Sequence, residues 1–162
     1  MNRIELVEEM ITALQGGDLR LAANTLADTF EVTGLTPKSL SKRQFLAVQS
    51  ELLGAMPDFS YNLSALRDDQ EAVHAIIRIS GTQTRDLDLP LFGLENIAAT
   101  GLAVSLPQTR VAYQIENDKV VRMSVEAVVG GGLSGLLQQV GAELPLLPRE
   151  GDVSESDIGS AG

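Results

Sequence analysis

The side chains able to do chemistry here are few, and their spacing decides which reactions are open. Tyr61 and Tyr113 each share strand parity with apolar neighbours. Either phenol could present its hydroxyl to a ligand or sit in the core with that hydroxyl satisfied. Phe59, Tyr61 and Ile77 fall on the apolar parity and are expected to line any interior pocket. His74 and Arg78 alternate with Val73, Ala75 and Ile77, which puts them on the opposite face, where a structural or interface role competes with ligand contact. Arg110 could anchor an anion if its strand turns it inward, and is otherwise a solvated cation. Gly130-Gly131-Gly132 lacks the Gly-Lys-Ser/Thr ending of a phosphate loop and reads as a flexible hinge. With no cysteine there is no disulfide and no thiol nucleophile. His74 is the sole histidine, so no metal site is expected, and no cofactor.

These residues sit in a chain of 162 residues, the length of one ordinary domain. The formal charge of -10 opposes binding to a phosphate backbone, so no nucleic-acid partner is expected. Solubility alone would also explain that charge. No apolar run approaches the roughly 20 residues that span a bilayer, and the first residues carry no signal-peptide core. The expectation is a cytoplasmic protein with no membrane partner.

The elements that must position the tyrosines follow from periodicity. Ile4, Val7, Ile11 and Leu14 recur at helical spacing up to Gly16-Gly17. Asp18 N-caps a second helix through about Ala27, with Leu19, Ala22, Ala23 and Leu26 apolar. A short strand covers Phe30 to Thr33. Ser41 and Gln44 have capping-box spacing before a third helix that turns Phe45, Val48, Leu52 and Leu53 inward. After Pro57 the period becomes two. A half-buried strand runs through Phe59, Tyr61, Leu63 and Ala65, and Asp68-Asp69-Gln70 turns into a strand over about Ala72 to Thr84. Residues 85 to 101 form a loop. Val104 to Glu116 is a third long strand, with Pro107 marking an edge or bulge. Asn117-Asp118 turns it into Lys119 to Val128, and a short apolar helix covers Leu133 to Val140. Helices followed by long antiparallel strands are the α+β pattern.

Three stretches resemble the SnoaL-like polyketide cyclases of the nuclear transport factor 2-like superfamily: ALQGGDLRLAANTLADTF (13–30), MPDFSYNLSALRDDQEAVHAIIRISGTQT (56–84) and YQIENDKVVRM (113–123). The glycine-led LLQQ segment near residues 136–139 is similar too. The resemblance implies an α+β cone over residues 1–144: a curved antiparallel sheet, about three N-terminal helices on its concave face, and a short C-terminal helix. Residues 145–162, which include Glu150, Asp152, Glu155 and Asp157, are expected to form a disordered acidic tail. The resemblance also implies a pocket inside the cone and a homodimer through the outer sheet face, here the face of His74, Ile76 and Arg78.

Ring-closing relatives carry an acid–base aspartate on the strand equivalent to residues 104–115, and often a histidine in the preceding turn. The matching positions here hold Val111 and Gln83, and no Asp or Glu occurs from Gly101 to Ile115. Gln83 can hydrogen-bond but takes no proton at neutral pH. The surviving carboxylate that could replace the aspartate is Glu126 on the last strand, unless it is simply a surface residue. The expected pocket therefore contains Phe59, Tyr61, Ile77, Gln83, Val111 and Tyr113, with Glu126 as the weak candidate base. Two functions fit: a protein that binds a hydrophobic small molecule without the usual catalytic aspartate, or a cyclase- or isomerase-type enzyme with a relocated acid–base group. The departures favour the first.

Overall fold

Asn2 and Ser41 each open a helix by the same device. The side chain accepts the N–H three residues on, and Glu5 or Gln44 reaches back to the cap's own N–H. The computed structural model describes residues 2–142, which places the expected 145–162 tail outside the described residues. Helices α1 (Arg3–Gly16) and α2 (Leu19–Thr25) lead into strands β1 (Leu26–Thr33) and β2 (Leu40–Ser41), and helix α3 (Lys42–Ala55) comes next. Strands β3 (Ser64–Asp68), β4 (Val73–Ile77), β5 (Ser80–Thr82), β6 (Ala103–Ser105), β7 (Thr109–Glu116) and β8 (Lys119–Val125) follow, then helix α4 (Gly132–Gln139).

The main sheet has the order β2-β1-β8-β7-β4-β3, and β5 and β6 make a separate pair. It is a curved α+β sheet with the helices packed against it, as expected. It is mixed rather than antiparallel, because β1 runs parallel to β8. That pairing also shortens the second helix. Leu26 was expected on its apolar stripe but instead begins β1 opposite Val120, so long-range pairing overrides local helical spacing.

The long strands expected from alternation are broken where the sheet turns. The run from Phe59 is coil until Ser64, with Asn62 (φ 48°) in left-handed backbone, and a second left-handed residue, Ala65 (φ 57°), makes an irregularity inside β3, where the pairing with β4 shifts register between Ser64 and Arg67. Ala65 is exposed as a result. The Ala72–Thr84 run divides into β4 and β5 after Ile77. The Val104–Glu116 run divides into β6 and β7 around Pro107, which has no N–H for a ladder. The last strand stops at Val125, not Val128. In α3, Gln49 is buried where Leu53 was expected to be; Leu53 is only half-buried.

One continuous core lies between helices and sheet. Met10 and Leu14 of α1, Phe45 and Val48 of α3, and Val73, Ile77, Val111 and Met123 of the sheet all belong to it. Phe30 meets Phe45 at 5.5 Å between ring centroids.

Candidate functional site

The sheet's inner face collects three of the expected pocket residues, Ile77, Val111 and Tyr113, by parity and register. Tyr113 lies opposite Val73 on one side and Met123 on the other, and Val111 lies opposite Ala75 and Val125. Phe59 and Tyr61 reach the interior from the coil ahead of β3, their rings edge to face at 5.0 Å. That coil is pinned rather than paired along its length. The Tyr61 N–H donates to Gln15 Oε1 at 2.6 Å, and the Arg78 N–H donates to the Tyr61 carbonyl at 2.8 Å. Phe59, Tyr61, Ile77, Gln83, Val111 and Tyr113 are all buried.

The polar content of this interior is small and neutral. The buried polar residues among those described are Thr25, Thr36, Gln49 and Gln83, together with the hydroxyls of Tyr61 and Tyr113. No Asp, Glu, His, Lys or Arg among the described residues is buried. Tyr61 donates its hydroxyl proton to Gln49 Oε1. Gln49 Nε2 and the Tyr113 hydroxyl have no hydrogen-bond partner among the described residues. Burial pushes both phenols above their ordinary range, and for Tyr113 the nearby Tyr61 adds to the effect. Neither phenol is a base at neutral pH; both are hydrogen-bond donors. A buried donor left unpaired costs about 1–3 kcal/mol, so the Gln49–Tyr113 region is a polar spot held at the expense of stability. Gln49 was missed from the sequence. Its signal was there: it falls four residues after Phe45 and three before Leu52, on the inward stripe of α3.

Gln83 is buried but committed elsewhere. Its Nε2 donates to the Ile97 and Ala98 carbonyls at 3.3 and 3.2 Å, and its Oε1 accepts the Thr100 hydroxyl at 2.7 Å. Its own N–H and carbonyl bind Leu102 and Gly101. The amide thus closes the 85–101 loop over the core, where Leu87 and Leu89 are buried, and it has little capacity left for a ligand.

Glu126 does not face the interior. Met123 and Val125 point inward, and Glu126, one residue past the end of β8, is exposed. Its N–H donates to the Arg110 carbonyl. With His74, Arg110 and Ser124 it edges a shallow groove of about 300 Å³ that opens to solvent on the outer face. Exposed on that side, its carboxylate does not reach the interior.

On that outer face His74 Nε2 lies 2.8 Å from Asp69 Oδ2, Ile76 is half-buried, and Arg78 reaches the Ser105 hydroxyl at 3.2 Å. Arg110 is exposed. Among the described residues no three His, Asp or Glu gather as metal ligands. The Ala72 N–H is the largest cause holding the Asp69 carboxyl down to about 2, with the His74 ring and the Glu71 N–H adding to it. A depressed folded pKa stabilises the hairpin above the ordinary value of 3.8, and that contribution is lost as pH falls through about 2. An NMR titration of the Asp69 carboxyl should show its midpoint near 2; a midpoint near 3.8 would show that the turn is not held this way.

This geometry has close counterparts among solved structures. AclR from Streptomyces galilaeus, assigned as a hydroxylase, superposes with a TM-score of 0.65 at 18% identity, over 90% of this chain and 97% of its own. A Jannaschia protein assigned as a SnoaL-like polyketide cyclase gives 0.60 at 14%, over 76% and 83%. The fold is the SnoaL-like one. An LEH-like epoxide hydrolase from Mycobacterium tuberculosis shares this fold at a TM-score of 0.60 and 16% identity, over 85% and 90%. No family model matches the sequence, and no curated protein does. Identities this low carry the SnoaL-like fold and not the chemistry. Among the described residues no helix is long and apolar enough to cross a membrane.

Proposed function

We propose that this protein binds a small hydrophobic molecule inside the cone of a SnoaL-like fold and lacks the proton-transfer chemistry of ring-closing relatives. The observation that carries the reading is the composition of the interior: apolar side chains, two phenols, two amides and two threonines, with no buried Asp, Glu, His, Lys or Arg among the described residues. A general base contributes about 100- to 10,000-fold in rate. Phenols pushed up by burial cannot supply one at neutral pH. Native mass spectrometry of freshly purified protein is expected to show a co-purifying neutral molecule, and a polyketide ester is expected to pass through unturned. Clear turnover would overturn the reading. If Glu126→Gln abolished that turnover, the relocated-base enzyme would replace it.

The same proposal includes a homodimer through the outer face of His74, Ile76 and Arg78. Half-buried Ile76 lies in register opposite Arg110, and cations (Arg78, Arg110, Arg122) share this face with anions (Glu31, Asp69, Glu126). An isologous contact can pair such a mixed surface with itself. Sedimentation at micromolar concentration should give twice the chain mass.

A further inference from the structure

The loop between β5 and β6 has fixed ends and a loosely tied middle. It is longer than the roughly 12–15 residues beyond which irregular loops in compact domains become uncommon and usually carry function. At its first root, the Thr82 N–H and hydroxyl donate to the Asp58 carboxylate at 2.7 and 2.9 Å, and the Thr84 and Arg85 N–H groups both donate to the Ala55 carbonyl at the end of α3. At its second root β6 pairs with β5, and the Gln139 amide clasps the Ser105 N–H and carbonyl at 3.0 and 2.9 Å. Between the roots, residues 86–100 are braced against themselves. Leu87 and Ile97 share two backbone hydrogen bonds of 2.8 Å, and the Asp86 carboxylate accepts from Asn96 Nδ2 and the Ala99 N–H. Among the described residues, every hydrogen bond from this body to the rest of the protein goes to the Gln83 side chain, apart from the one that the Thr100 hydroxyl accepts from the neighbouring Leu102 N–H. Two side chains of the body are fully sunk in the core: Leu87 and Leu89 are 0% and 1% exposed, while Asp86, Asp88 and Glu95 are exposed. The loop thus has an apolar inner side and an anionic outer side that stays hydrated whether the body is seated or lifted. Lifting it breaks no helix outside the loop and no ladder of the main sheet. Gly101, at the second root, has φ 72° and nothing within 4 Å of where a Cβ would lie, which leaves the chain free to turn there.

We propose that residues 86–100 are a hinged plug: a hydrophobic ligand enters the interior by displacing Leu87 and Leu89, and the Gln83 amide is the latch that keeps them seated. The proposal rests on the hydrophobic-ligand reading above and adds the route of entry and its control. An apolar ligand covers the core surface that the two leucines uncover, so burial lost by the plug is regained by the ligand. The latch is built to give way. Its bonds to the Ile97 and Ala98 carbonyls, at 3.3 and 3.2 Å, lie at the long end of the hydrogen-bond range, and water replaces them once the loop lifts. Because only the lifted form admits ligand, the apparent affinity is the intrinsic one reduced by the lifted fraction. Gln83 sets that fraction, which gives a buried amide that contacts no ligand a say in binding.

Amide hydrogen exchange of the full chain reads the plug directly. Without ligand, the Leu87 and Ile97 amides should exchange together and about tenfold or more faster than the ladder amides of β7, because lifting the loop takes less than unfolding the domain. The probe is N-phenyl-1-naphthylamine, a neutral apolar fluorophore. At saturation it should speed exchange at Leu87 and Ile97 further, since it holds the plug out, while the β7 amides slow or stay as they were. Gln83→Met keeps the length of the side chain and removes both polar ends. It should raise loop exchange and the probe's apparent affinity by the same factor, about tenfold, with β7 still protected as evidence that the variant is folded. Exchange at Leu87 and Ile97 in step with β7 would overturn the hinge. Probe binding that leaves loop exchange unchanged or slower would overturn the plug and leave the hydrophobic-ligand reading standing. Faster loop exchange in Gln83→Met with unchanged affinity would overturn the latch. Failure of the probe to bind either protein, with lifting still seen in its absence, would overturn the hydrophobic-ligand reading and leave the hinge. Exchange in the unmodified protein, with and without probe, decides the plug even where the variant does not fold.

Discussion

Gly34→Ala should cost about 4 kcal/mol or more, enough to leave much of the population unfolded in a domain whose whole stability is of order 5–15 kcal/mol. A Cβ built on Gly34 would lie 1.8 Å from the Val125 carbonyl oxygen and 2.8 Å from its carbon. Both atoms are backbone, so no rotamer change relieves the clash. The residue also has φ +87°, which no L side chain adopts cheaply. Overpacking typically costs about 1–3 kcal/mol and left-handed backbone about 1–2 more. The consequence reaches past β1, because the same turn holds the C-terminal helix: the Leu133 N–H donates to the Leu35 carbonyl at 2.9 Å. Moving Gly34 away from Val125 therefore pulls on α4 as well as on the end of β8. The control is Gly54→Ala in α3, where nothing lies within 4 Å of the added Cβ; there alanine should gain up to about 1 kcal/mol. Urea denaturation of both variants measures the contrast. A loss under about 1 kcal/mol at Gly34 would show that the turn is far softer than its geometry.

Helix caps and parity were legible in the sequence because they depend on neighbours in the chain. The boxes at Asn2 and Ser41 are local chemistry, and only the second was read in advance. Alternation put Phe59, Tyr61, Ile77 and Tyr113 on the apolar parity, and the resemblance placed Val111; all five are buried. The same alternation, followed from Met123 and Val125, would have sent Glu126 outward; what drew it inward was the search for a replacement carboxylate. The breaks at Asn62, after Ile77 and at Pro107, and the irregularity at Ala65 inside β3, were not legible in full. A sheet that bends over a core gives up ladder pairs at positions set by its curvature, and an alternating run looks the same whether it stays flat or bends. Gln83 shows the other limit. Its position was readable as interior, but its three side-chain bonds go to residues 97–100, and no local pattern announces where a long loop returns.

Val111→Asp, the substitution that puts a carboxylate back where ring-closing relatives carry one, should destabilise the protein without restoring ring closure. Val111 is 2% exposed and lies in register between Ala75 and Val125, all apolar. The nearest cation along the strand, Arg110, is exposed and alternates to the other face. An unpaired buried charge costs about 3–5 kcal/mol, so the carboxyl will hold its proton instead. Its folded pKa then rises above an unfolded value of about 3.9. The sign follows from linkage: the unfolded chain releases the proton first, so the electrostatic penalty is absent below about pH 4. It grows as pH rises and levels off above the folded pKa. Urea midpoints should therefore fall progressively behind the unmodified protein between pH 4 and 8, starting from a smaller gap that reflects lost packing alone. A protonated acid at neutral pH is no base. A charged one would lack its partner too, because Gln83, at the position of the relatives' histidine, spends its amide on the loop carbonyls. Stability within about 1 kcal/mol of the unmodified protein at pH 8, or measurable turnover of a polyketide ester, would show that the interior already contains a counter-charge or solvent path that its buried residues do not reveal.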